Sequence, residues 1–107
     1  VKKNMADIVT DQKDITICIV EDGDVTVENL VYPKYAKSGD QITINYSIKN
    51  TRGDVTSCYT SIEDADGNEF TRWDGTLNEN ETHPVSYTMT APDTNLVLKI
   101  KAGYTYV

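Results

Sequence analysis

Between Gly39 and Gly53, Ile42, Ile44, Tyr46 and Ile48 occupy every second position, with Thr43, Asn45, Ser47 and Lys49 between them. A period of two bounded by glycine turns predicts a strand with one buried face. Upstream, Ile15 to Val20 reads as a short apolar strand and Val25 to Tyr32 as a second one ending at Pro33. With Asp22-Gly23-Asp24 between them, the two strands are expected to form a hairpin. Downstream, Asn50 to Asp54 turns the chain and Val55 to Glu63 returns, after which Asp66-Gly67 marks another tight turn. A short strand from Phe70 to Trp73 leads through Asp74-Gly75 into a polar loop, Asn78 to Thr82. Val85, Tyr87 and Met89 then share one face of a strand reaching Thr90, and Leu96, Leu98 and Ile100 define the last strand.

Short strands at this spacing, with no helical period, predict an all-β fold, an immunoglobulin-like antiparallel β-sandwich of about seven strands with an additional N-terminal strand and arm. Residues 1–14 form the expected arm and residues 15–107 the sandwich domain. A chain of 107 residues is one domain by size and can hold its own core.

Charge narrows the partners. Seventeen acidic against ten basic side chains give a net charge of −7, which repels phosphate backbones and anionic membranes. Nucleic acid is therefore not an expected partner. No apolar run is long enough for a membrane span, and the opening VKKNMADIVTDQKD carries no apolar stretch like that of a signal peptide.

The run ENLVYPKYAKSGDQITINYSIKNTRGD resembles the opening of the cell-adhesion-related domain of bacteria and archaea (CARDB). The resemblance lies in a first strand ending near Pro33, the Gly39-Asp40 turn, and an alternating strand closing on Asn50 and Gly53. It continues through Asp66-Gly67, Leu77 and the strand from Val85, covering about residues 25 to 102. It implies a surface or extracellular accessory module with no activity of its own. One departure is informative: a seven-stranded sandwich of that type continues past Ile100 into a final edge strand, whereas here only Tyr104-Thr105-Tyr106-Val107 remain. An unfilled sheet position is a template for pairing. The additional strand, Ile15 to Val20, is the expected filler, either of its own sheet or of a neighbouring subunit's.

Candidate contact residues follow from that reading. Met5, Ile8 and Val9 on the arm, with Ile15, Ile17 and Ile19 on the additional strand, are the expected subunit interface. Tyr32, Tyr35, Trp73, Tyr104 and Tyr106 are candidates for contact with a protein or a sugar, since tyrosine and tryptophan concentrate at binding hot spots. Strand parity lets only one of Phe70 and Trp73 face the core, and Phe70 is the expected one. Cys18 and Cys58 are a candidate disulfide, the alternative being two separately packed thiols. Asn45 and Asn80 begin N-glycosylation sequons, and Asn80, in a polar loop, is the more accessible candidate.

No catalytic grouping is expected, and no cofactor. His83 precedes Pro84 in a predicted polar loop without a cysteine or an activated serine beside it. The carboxylates at Asp22 and Asp24, at Glu63, Asp64 and Asp66, and at Glu79 and Glu81 fall in turns, where acidic side chains usually hold local N–H groups. Asp64 to Glu69 offers several oxygen ligands but lacks the spacing of an EF-hand loop, so no metal is expected. The expected function is that of a non-catalytic structural protein of an extracellular assembly. Phage-type assemblies reach the outside without secretion, which favours a virion decoration or surface filament whose partners are copies of the chain or a capsid or surface scaffold. The alternative is a secreted adhesion or carbohydrate-binding module.

Overall fold

A computed structural model describes residues 12–54 and 57–105. It is all-β. Among the described residues, eight strands follow in order: β1 (Gln12–Glu21), β2 (Val25–Val31), β3 (Tyr35–Lys37), β4 (Gln41–Asn50), β5 (Ser57–Asp64), β6 (Glu69–Thr76), β7 (Thr82–Thr90) and β8 (Leu96–Tyr104). They form two packed sheets, one ordered β3-β1-β8-β5-β6 and the other β2-β4-β7.

The alternation in β4 is realised as written, with Ile42, Ile44, Tyr46 and Ile48 buried and Gln41, Thr43 and Asn45 exposed. Facing them from the larger sheet are Ile15, Cys58, Ile62, Leu98 and Ile100, and Val25 closes the core from β2. Every strand pairing is antiparallel except one. β1 lies parallel to β8, in register from Ile15 opposite Leu96 to Glu21 opposite Ala102.

That pairing corrects the expected hairpin. β1 and β2 lie in different sheets, so Asp22-Gly23-Asp24 carries the chain across the sandwich instead of folding two strands side by side. The physical reason is the edge of β8: β1 takes the position beside it, Ile15–Glu21 against Leu96–Ala102, and the sheet is filled from within its own chain. Asp22 holds the crossing by accepting the N–H groups of Asp24 and Val25, each at 2.9 Å. Thr51 clasps it from the end of β4, its N–H and Oγ1 both donating to the Asp24 carbonyl. β1 also begins at Gln12, so residues 12–14 of the expected arm belong to the sandwich. The rest of the arm, with Met5, Ile8 and Val9, lies outside the described residues.

Three strands cannot cover five. Strand spacing of about 4.8 Å makes the larger sheet roughly 19 Å across its strand axes and the smaller roughly 10 Å. On one side the overhang is closed by rings reaching between the sheets: Trp73 of β6 stacks on His83 of β7 at 3.8 Å, and Phe70 on Tyr87 at 6.4 Å. Trp73 packs against the core and Phe70 is 39% exposed, the reverse of the expectation. A register shift at Ile62/Glu63 places Glu69 opposite Glu63 and Thr71 opposite Ile62, leaving Phe70 as the extra residue at the strand's start. From there parity sends Thr71, Trp73 and Gly75 inward. Among the described residues, the opposite overhang, at β1, has no such ring closure.

Candidate functional site

The open side of β1 is the feature that stands out. β3 covers only its first three residues, pairing Gln12, Lys13 and Asp14 with Lys37, Ala36 and Tyr35. Beyond that, no strand among the described residues lies beside Thr16–Glu21 on the side away from β8. Two hydrogen bonds define which backbone groups face which way. The Asp14 N–H donates to Asn95 Oδ1 at 3.0 Å on the β8 side, and the Ile15 N–H donates to the Lys34 carbonyl at 2.9 Å on the β3 side. Alternation along a strand therefore turns the N–H and C=O groups of Ile17, Ile19 and Glu21 toward the open side.

The side chains there are apolar and uncovered. Ile19 is 45% exposed and Val20 50%, and on neighbouring β8 Val97 is 40% exposed. Ile19 is exposed because it points toward a smaller sheet that does not extend beneath it, whereas Val20 and Val97 lie on the outer face of the larger sheet. Cys18 sits mid-edge and is exposed. Lys34 and Lys37 flank the start of the strand, beside Asp14, and Glu21 and Asp22 end it, all exposed. A depression of about 300 Å³ opens at the start, lined by Asp14, Thr16, Tyr32, Lys34 and Tyr35.

Of the expected interface residues, Ile15 is buried in the core and Ile17 is partly buried against it, so both hold β1 to its own sandwich. Only Ile19 of the three is substantially exposed. Of the candidate aromatics, only Tyr32 and Tyr35 are brought together, at the depression beside the start of β1. Tyr35, 59% exposed, is on β3 and Trp73 on β6, at opposite edges of the same sheet. Tyr32 is packed against the core, Tyr104 is held by Arg52, and Tyr106 lies outside the described residues.

The two cysteines are free thiols, which corrects the candidate disulfide. Cys18 faces out from β1 and Cys58 into the core from β5, with β8 between those strands. Two strand spacings of about 4.8 Å and opposite faces exceed the reach of a disulfide. Burial pushes the Cys58 thiol pKa up, with the charge of Asp22 adding to it.

Asn80 is exposed in a left-handed backbone conformation, φ 66°. Asn45 is exposed as well, more accessible than expected, on the outer face of β4 opposite Ser86. That face is uncharged over Gln41, Thr43 and Asn45, with Gln41 bonded to Thr90 and Thr43 to Thr88, each at 2.9 Å.

His83 lies on β7, not in a loop, with Pro84 accommodated because β7 is an edge strand. The Asp64 carboxylate accepts the N–H groups of Asp66 and Asn68 and the Asn68 amide. The Asn68 side-chain bond, followed by the backbone donors, draws its pKa below the usual carboxylate value. Glu81 Oε1 accepts the Asn78 N–H. Among the described residues no group of three or more His, Cys, Asp or Glu side chains is placed to hold a metal ion.

Two arrangements were missed in the sequence. Arg52 forks onto Asp54 at 2.8 and 2.7 Å, donates to the Tyr104 hydroxyl at 2.8 Å and reaches Asp24 at 3.4 Å. It thereby ties the β4–β5 turn to the end of β8 and to the sheet crossing. Buried Asn50 donates its amide to the Leu77 carbonyl and accepts the Arg52 N–H. The Arg52-Gly53-Asp54 spacing hinted at the fork, but no local signal reaches from Arg52 to Tyr104.

Comparison with protein-family models, with curated proteins and with solved structures gave no match for the chain.

Proposed function

We propose that the chain is a non-catalytic structural subunit of an extracellular assembly, a virion decoration or surface-filament component, with its arm and β1 region making the subunit contacts. The observation that carries this reading is the open, apolar edge of β1, an uncovered template for strand addition. The titratable groups have architectural roles, with Asp22, Asp64 and Glu81 holding turn N–H groups and His83 stacked on Trp73. The CARDB-like resemblance agrees with an accessory role outside the cell. An adhesion or carbohydrate-binding role would draw on exposed, coplanar rings, and Tyr35 and Trp73 stand at opposite sheet edges instead.

Light scattering across concentration, on the full chain and on a truncation beginning at Gln12, tests the proposal, with circular dichroism to confirm folding. The full chain is expected to exceed the monomer mass, and removal of residues 1–11 to lower the order of assembly. Folded monomers in both cases would overturn it.

A further inference from the structure

We infer that the open edge of β1 pairs with the same edge of a second copy, antiparallel about a two-fold axis at Cys18, joining two five-stranded sheets into one; this rests on the assembly reading above.

A comparison of the edges selects β1. The β6 edge carries Glu69, Arg72 and Asp74, the β7 edge carries Pro84, and β2 is interrupted by a bulge at which Asn29 adopts φ 57°. Charge, proline and bulges are the devices that keep sheet edges from pairing. Thr16-Ile17-Cys18-Ile19-Val20 has none of them and consists of residues suited to strands. A closed two-fold contact covers such an edge without leaving a new one to propagate.

The backbone phase fixes the register. Ile17 and Ile19 present their N–H and C=O groups to the open side, so an axis at Cys18 pairs Ile17 with Ile19 of the second copy through two hydrogen bonds, and the symmetric pair adds two more. Exposed Ile19 is then covered by the second copy's Ile17, and exposed Val20 stands beside Thr16. The ladder spans Thr16 to Val20, because the Ile15 N–H is already given to the Lys34 carbonyl, so Glu21 at the end of one β1 arrives beside exposed Lys34 of the other, while Asp22 comes opposite Asp14. Cys18 meets its counterpart in a non-hydrogen-bonded pair, whose Cα separation of about 4.5 Å lies within the disulfide range.

Cys18 therefore serves as a reporter. With oxidised glutathione added to the full chain, one Cys18 thiolate displaces a glutathione thiolate to give a mixed disulfide. The second copy's Cys18 thiolate then displaces the other, so two protein thiols are oxidised and one glutathione disulfide is reduced to two thiols. The expected result is a dimer mass, a Cys18–Cys18 peptide by mass mapping, and a noncovalent dimer retained by Cys18→Ser. Ile19→Lys, at a half-exposed position, is expected to weaken the dimer about tenfold. Val20→Lys is the second variant if the first does not fold. Oligomers that lack the cross-link and ignore both lysine variants would overturn the edge pairing and leave the assembly reading standing. A full chain that stays monomeric would overturn both.

Discussion

Tyr46 and Thr60 join the two sheets through the core, and their hydrogen bonds allow a quantitative prediction. The Thr60 hydroxyl donates to the Lys101 carbonyl at 2.8 Å and lies 2.6 Å from the Tyr46 hydroxyl. Thr60 has one proton to give, so Tyr46 is the donor between them. Tyr46→Phe removes one buried bond and leaves Thr60 bonded to Lys101, a loss of about 1 kcal/mol. Thr60→Val takes a partner from the Lys101 carbonyl and strands the Tyr46 hydroxyl in the core, a loss of about 2–3 kcal/mol. A domain of this size loses about 5 °C of Tm per kcal/mol, so the expected shifts are about 5 °C and about 10–15 °C. The double variant has no stranded hydroxyl and should lose clearly less than the sum of the two. Thermal and urea unfolding followed by circular dichroism measures all four proteins. Additivity within about 0.3 kcal/mol would refute the coupling, as would a milder effect for Thr60→Val than for Tyr46→Phe.

The same phenol carries a pH signature. Burial raises the Tyr46 pKa above the ordinary 10.0. Below pH 10.0 the phenol is neutral in both states and its contribution is complete. Above that value the unfolded chain gives up the proton first, so stability falls as pH rises. Tyr46→Phe should flatten this decline.

Two further predictions concern the turns and the ring seam. Asn68→Ala should raise the Asp64 pKa toward the ordinary 3.8, read by carboxylate NMR titration, and narrow the acid range over which the fold persists. The sign follows because a depressed folded pKa contributes stability above the unfolded value and loses it as pH falls. A Cβ on Gly75 would overlap the Trp73 indole, which lies across that glycine. Gly75→Ala is therefore expected to displace the ring from His83, shift the emission of the sole tryptophan to the red and cost about 1–3 kcal/mol, and an unchanged spectrum would refute the placement.

What was legible in the sequence was local. The alternation of β4 dictated its buried face, and the apolar run Ile15 to Val20 was legible as a strand able to fill a sheet position. The expected hairpin failed because Asp22-Gly23-Asp24 specifies a reversal without specifying whether the strands lie beside or across from each other. Phe70 and Trp73 exchanged roles because a bulge resets parity and leaves no mark in the pattern. Pro84 and the polar residues before His83 mask the edge strand to which it belongs. The candidate edge was half legible: its apolar residues stand out in the pattern, but which of them are used up inside the sandwich depends on the unequal widths of the two sheets.

The parallel pairing of β1 with β8 has a consequence for how the chain is made. The two strands are 81 residues apart, as Asp14 and Asn95 show. During synthesis β1 emerges first and finds its place last, after the strand beside it has left the ribosome. Until then its apolar stretch has no partner, at a stage when hydrophobic segments readily join the wrong chain. Contacts this distant also fold slowly, because the loop between them must close before any pairing stabilises it. The yield of folded protein should therefore depend on how fast translation completes the last strand.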